Sequence, residues 1–130
     1  MAKHVFLSFV IEDADLVTLF RGQAKNKNSD LAFDDYSVRE PINSTNAPYI
    51  KTKITEKITD SSVLICLIGY DTHKSDWVDW EIRKAVELRK KIIGVRLHSD
   101  LTRDQAPAAL ISAGATVLNW EIDKIVSAIG

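Results

Sequence analysis

Val63-Leu-Ile-Cys-Leu-Ile68, a short polar loop, and then Ser75-Asp-Trp-Val-Asp-Trp-Glu-Ile82 form the stretch that decides how this chain folds. Six consecutive apolar residues between polar flanks read as a strand covered on both faces, hence a central strand of a parallel sheet. After the loop the period changes. Val78, Ile82, Ala85 and Val86 fall at i, i+4, i+7 and i+8, the apolar stripe of a helix that faces a core. Glu81 sits on the shoulder of that stripe, on the Trp77 side. A carboxylate half inside an apolar rim is costly unless it is paired, protonated or used in chemistry, so Glu81 is a site candidate. Periodicity fixes its direction only to within tens of degrees, and a solvated helix position is the alternative. A capping box does not explain it, because with Ser75 or Asp76 as cap the box position is Val78 or Asp79.

Working outward, short β-branched and aromatic runs alternate with helical periodicity, the signature of βαβ units. His4 to Phe9 reads as the first strand, and Ala14 to about Ala24 as a helix with Leu16, Leu19 and Phe20 inward. Leu31 to Asp34 is a second strand, followed by a polar loop through Pro41, Asn43 and Asn46. Ala47 to Thr59 is a helix buried along Ile50, Ile54 and Ile58. The helix carrying Trp77 ends in Arg89-Lys90-Lys91, cations placed against its negative end. Ile92 to Leu97 and Ala115 to Leu118 read as strands four and five, with a short helix between them near Pro107. Trp120 to Ile129 closes the chain as a helix with Ile122, Ile125, Val126 and Ile129 inward.

Five such strands in 130 residues predict one α/β domain over residues 1–130: a flavodoxin-like, doubly wound parallel sheet of order 2-1-3-4-5 with helices on both faces. Ligands of such sheets bind beyond the carboxyl ends of the strands, at the switch point between strands one and three. That rule gathers Ser8 and Phe9 from strand one, Asp34, Asp35 and Tyr36 from the end of strand two, and Trp77 and Glu81 from the helix after strand three. Trp77 and Trp80 lie on different helix faces, so one of them belongs to a rim or an interface.

Composition excludes several classes. Seventeen basic residues against eighteen acidic ones give a net charge of -1, without the footprint of a nucleic-acid or anionic-membrane binder. No stretch is long enough to span a bilayer and no cleavable leader is apparent, so a soluble, cytoplasmic protein is expected. The lone Cys66, inside an apolar strand, reads as a structural thiol in a reducing compartment. A two-component receiver needs an Asp at the end of strand three and a Lys after strand five. Here Leu67-Ile68-Gly69-Tyr70 and Asn119 stand at those places. The loop from Val10 to Asp15 is apolar and acidic, hostile to the phosphate of a flavin. Scattered glycines make no dinucleotide fingerprint or P-loop. His4, His73 and His98 share no metal-ligand spacing, and no metal site is expected. Ser8, His73 and Asp71 lack the nucleophile elbow that a hydrolase triad requires.

These residues resemble the TIR-like domains of the Thoeris antiphage system, the ThsB-like group. The similarity runs through Val5-Phe6-Leu7-Ser8-Phe9, Phe33-Asp34-Asp35-Tyr36-Ser37, Ile50 to Ile58, Leu67-Ile68-Gly69, Thr72, Ser75 to Ile82 and Lys91-Ile-Ile-Gly-Val95. The cluster from Ser75 to Ile82 is the most specific. The resemblance implies an NAD-cleaving enzyme related to TIR NADases, with Glu81 catalytic; Ser8, Phe9, Asp35, Tyr36 and Trp77, gathered at the same crevice by the fold, are then expected to contact the substrate. It implies NAD as substrate rather than cofactor, and a cyclic ADP-ribose-type product that diffuses to a separate effector, since no output module is seen in this sequence. A phage-derived trigger and self-association belong to the same expectation. The rival class is a non-catalytic TIR-type interaction module, which keeps the fold without the chemistry.

Overall fold

In the computed structural model, which describes residues 3–36 and 40–130, five parallel strands form one sheet in the order β2-β1-β3-β4-β5. They are β1 (Lys3–Ser8), β2 (Leu31–Asp34), β3 (Val63–Ile68), β4 (Lys91–Arg96) and β5 (Thr116–Asn119). The connecting helices are α1 (Ala14–Lys27), α2 (Ala47–Thr59), α3 (Asp76–Glu87) and the short α4 (Ala108–Ser112), and α5 (Ile122–Ile129) follows β5. Every residue of β3 is buried, which the uninterrupted apolar run requires of the middle strand. Ser37, the last residue of the motif after β2, lies outside the described residues.

Alternation along the strands divides the core into two clusters. Val5 and Leu7 of β1 and Val63, Ile65 and Leu67 of β3 meet Val17, Phe20 and Ala24 of α1 and Ile125 and Ile129 of α5. On the other face Phe6, Leu64, Cys66 and Ile68 meet Ile50, Ile54 and Ile58 of α2, Trp77, Val78 and Ile82 of α3, and Leu110 of α4. The β1–β3 register sets Ser8 opposite Cys66, so Ser8 ends β1 on the α2/α3 face.

Four expectations change. Leu19 does not pack inward but is 51% exposed, and Val17 takes the buried place. The chain leaves β1 through a 3-10 turn, Ile11–Asp13, that sets the rotation at which α1 begins. Val86 is 48% exposed, because the buried row of α3 is Trp77, Val78, Glu81, Ile82 and Ala85. Strands β1, β4 and β5 are each displaced by one residue from their apolar limits. Pairing rather than hydropathy sets their ends, as where Lys3 N donates to Asp30 O at 2.8 Å. Trp120 stays outside α5; its Nε1 donates to Gln23 Oε1 at 2.9 Å and its ring packs against Phe20. Among the described residues no helix is long and apolar enough to cross a membrane.

Candidate active site

The crevice at the switch point begins with the start of α3. Ser75 is its N-cap, the Oγ accepting from Val78 N at 3.1 Å, which satisfies a backbone donor that the first turn cannot. Before it, Thr72 Oγ1 accepts from Gly69 N at 2.7 Å and closes the turn that follows β3. With α3 fixed there, Trp77, Glu81 and Ala85 stand in one row at i, i+4 and i+8, all buried against the sheet.

Glu81 is completely inaccessible to solvent, and so is Ser8. Ser8 Oγ donates to Glu81 Oε1 at 2.7 Å, a well-formed hydrogen bond inside the core. Burial penalises the ionised carboxylate and the hydroxyl offsets part of that penalty. The neighbouring Cys66 thiol feels the same surroundings: burial pushes it well above its ordinary value, and the Glu81 carboxylate pushes it the same way. Cys66 is thus held as a neutral thiol, a packing group rather than a nucleophile.

Above this pair lies a cleft of about 350 Å³ whose walls include Phe9, Glu12, Asp71, Lys74, Ser75 and Trp77. Phe9 follows Ser8 in the chain and Trp77 precedes Glu81 by one helical turn, so the cleft borders the pair, although neither Ser8 nor Glu81 lines it. Trp77 Nε1 donates to Glu40 O at 2.6 Å, which ties the segment entering α2 across the start of α3. Asn46 Nδ2 holds the same residue through Glu40 Oε1 at 2.8 Å. Nothing in the sequence pattern signals the Trp77–Glu40 contact, because it joins positions 37 residues apart through a side chain and a carbonyl.

The acidic groups expected at the crevice do not converge. Asp34 is exposed and ion-paired with Lys57 at 2.8 Å. Asp35 pairs with Arg21 of α1, on the face away from Glu81. Tyr36 packs against the α2/α3 cluster. Trp77 is buried and Trp80 half-buried, their rings meeting edge to face at 6.1 Å, so Trp80 is the rim residue of the two. Ser8 and Glu81 therefore form one unit and Phe9 and Trp77 another, with Asp35 outside both.

One further group escaped the sequence reading. Asp13 Oδ2 is buried without a hydrogen-bond partner, pressed against Gly69 where a Cβ would stand only 2.1 Å away. Burial raises the Asp13 carboxyl above its usual range, His98 pulls it down, and Glu12 and Asp71 push it up. The glycine after β3 is what lets that carboxylate approach.

Comparison with known proteins follows the same geometry. The family described as "Thoeris protein ThsB, TIR-like domain" matches residues 6–102. A protein of Bacillus cereus (strain MSX-D12), provisionally named a cyclic ADP-D-ribose synthase, ThsB1, is 34% identical over 103 residues, covering 76% of this chain and 54% of that protein. The chain thus spans about half the length of the curated relative it matches. Among solved structures, a flavodoxin-like domain from Synechococcus sp superposes with a TM-score of 0.55 at 9% identity, covering 96% of this chain and 92% of that one. A type II dehydroquinase from Butyrivibrio crossotus DSM 2876 gives 0.55 at 14%, covering 98% and 94%. At such identities they speak for the fold alone.

Proposed function

Since the chain belongs to the TIR-like domain family of the Thoeris protein ThsB, we propose that it cleaves the nicotinamide–ribose bond of NAD and makes a cyclic ADP-ribose-type signal in antiphage defence. The observation that carries this is the buried Ser8–Glu81 pair at the switch point, 2.7 Å apart and bordered by a cleft with aromatic walls. Nicotinamide departs as a neutral molecule from a cationic pyridinium, so no general acid is required. The ribose left behind develops oxocarbenium character, which a single carboxylate stabilises. Glu81 is assigned that role, with Ser8 orienting its carboxylate. Phe9 and Trp77 offer the faces against which the nicotinamide ring stacks. On the cleft wall Asp71 is offset by Lys74 at 3.3 Å, and the remaining carboxylate, Glu12, suits a pyridinium cation, so the nicotinamide end is assigned to the cleft. Tyr36 borders the substrate from the end of β2, whereas Asp35, occupied by Arg21, anchors that end without touching it.

Captured by an oxygen or nitrogen of its own molecule, the ribosyl cation closes to a cyclic ADP-ribose isomer. Capture by water gives linear ADP-ribose. The cyclic product then reaches a separate effector by diffusion. NAD is substrate in this reading rather than cofactor.

A second reading, a non-catalytic TIR-type interaction module, draws on one observation: Glu81 is sealed from solvent. Incubation with NAD, with and without lysate from phage-infected cells, separates the two when nicotinamide and cyclic products are followed by chromatography. Turnover that disappears in Glu81→Gln is expected. Absence of turnover under either condition, or turnover unchanged in Glu81→Gln, would overturn the enzymatic assignment.

A further inference from the structure

A second concavity lies on the α2/α3 face of the sheet but beyond α3, between the carboxyl ends of β3 and β4 and the beginning of β5. Its volume is about 290 Å³, at the lower end of the range of about 300–1,000 Å³ typical of small-molecule sites. Ile68, Leu101, Leu110 and Val117 make an apolar floor, with Arg96 and Arg103 beside them and no carboxylate in the lining. Thr102 adds a hydroxyl.

Several cations of the chain are neutralised by carboxylates: Arg21 with Asp35, Lys57 with Asp34, Lys27 with Asp123, Arg83 with Asp79, Lys84 with Glu87. The two arginines of this cavity are not. Among the described residues no ion pair joins Arg96 or Arg103 to a carboxylate. Arg96 Nη1 has only the amide oxygen of Asn119, at 3.3 Å. Arg103 rides on a 3-10 turn, Arg103–Gln105, closed by a capping box in which Thr102 N donates to Gln105 Oε1 at 3.0 Å. The turn holds its backbone without help from a ligand, so little ordering is left to be done on binding. Gly94 lets that floor form: a Cβ there would stand 2.8 Å from Leu110 Cδ2, so the missing side chain lets α4 close onto β4.

Unneutralised guanidinium groups beside an apolar floor match a ligand with one anionic end and one apolar body, because the arginine fork accepts phosphate or carboxylate oxygens in pairs. We infer that this cavity binds a small organic phosphate monoester, its phosphate between Arg96 and Arg103 and a flat or apolar group on Leu101, Leu110 and Val117. The site is distinct from the Ser8–Glu81 crevice and does not depend on the reading of that crevice as an NAD-cleaving centre.

Three probes test it: adenosine 5′-monophosphate, inorganic phosphate and adenosine, titrated into the whole chain by calorimetry and by backbone amide NMR. The monophosphate should bind more tightly than either fragment and move the signals of Leu101, Ile111 and Val117. Arg96→Gln and Arg103→Gln should each weaken it by about ten- to a hundredfold, the effect of losing one charge-assisted contact. Arg103 is exposed on its turn, so that variant keeps the fold, as an unchanged melting curve will verify. Glu81→Gln should leave the affinity unchanged. Monophosphate binding no tighter than phosphate alone, affinity indifferent to both arginine variants, or signals that move at Phe9 and Trp77 instead would overturn the inference.

Discussion

Each face of the sheet buries a cluster of fifteen apolar residues, but the two treat charge differently. Between β1, β3, α1 and α5 no ionisable side chain is fully buried among the described residues, and Phe20 is set against Phe33 at 6.1 Å and against Trp120 at 6.2 Å. Between β1, β3, α2 and α3 the same strands enclose Ser8 and Glu81. A buried carboxylate is a poor way to hold a domain together, since its desolvation offsets most of what its partners return, and an apolar replacement is often neutral or stabilising. One face therefore carries stability, and the other carries a group that stability alone would not select.

Phe20→Ala should produce the largest loss of stability, about 3–5 kcal/mol by chemical denaturation, because it empties the meeting point of three rings. Turnover per folded molecule should barely change. Glu81→Gln should do the converse. Its amide oxygen still accepts from Ser8 Oγ, so the midpoint of unfolding should move little, while turnover falls by at least about 10²–10³-fold. A strong loss of stability in Glu81→Gln with turnover retained would reverse the comparison and make the carboxylate structural. Ser8→Ala removes a buried donor and should cost about 1–3 kcal/mol, with a loss of turnover smaller than that of Glu81→Gln. Trp77→Phe deletes the donor to Glu40 O together with the pyrrole half of a buried indole, so the lost hydrogen bond and a small cavity together should cost at least about 1 kcal/mol.

Much of this contrast was legible in the chain. The apolar run Val63–Ile68 gave the central strand, and order 2-1-3-4-5 then placed Ser8 beside the helix of Glu81. Much of what escaped on the helices has one cause: periodicity describes a helix but not its rotation about its own axis. Leu19 and Val86 lost their expected places to Val17 and Glu81. The row Trp77, Glu81, Ala85 was present as a spacing, yet counting only apolar residues set Glu81 on the shoulder rather than inside. Asp35 was placed correctly at the end of β2, but its turn toward Arg21 depends on tertiary contacts of α1. The arginine-lined cavity joins β4, β5 and a capped turn, elements whose mutual approach no local spacing records.

The smallest effect belongs to a carboxylate on the boundary between the two faces. Asp13 lies against Gly69 with Oδ2 unpartnered, and burial, its largest influence, raises its folded carboxyl above the unfolded value. The folded state therefore holds that proton to higher pH than the unfolded chain does. Stability contributed by the protonated form is full below the unfolded range, near about pH 4, and falls as pH rises through the folded value. At neutral pH the ionised Asp13 is a standing cost, trimmed by the nearby His98 and by solvent. Asp13→Asn, which cannot ionise, should gain less than about 1 kcal/mol at pH 7 and lose that advantage below about pH 4. Denaturation at the two pH values checks it. An advantage that persists in acid would mean that the amide finds a new partner near Gly69, and that relief of charge is not its source.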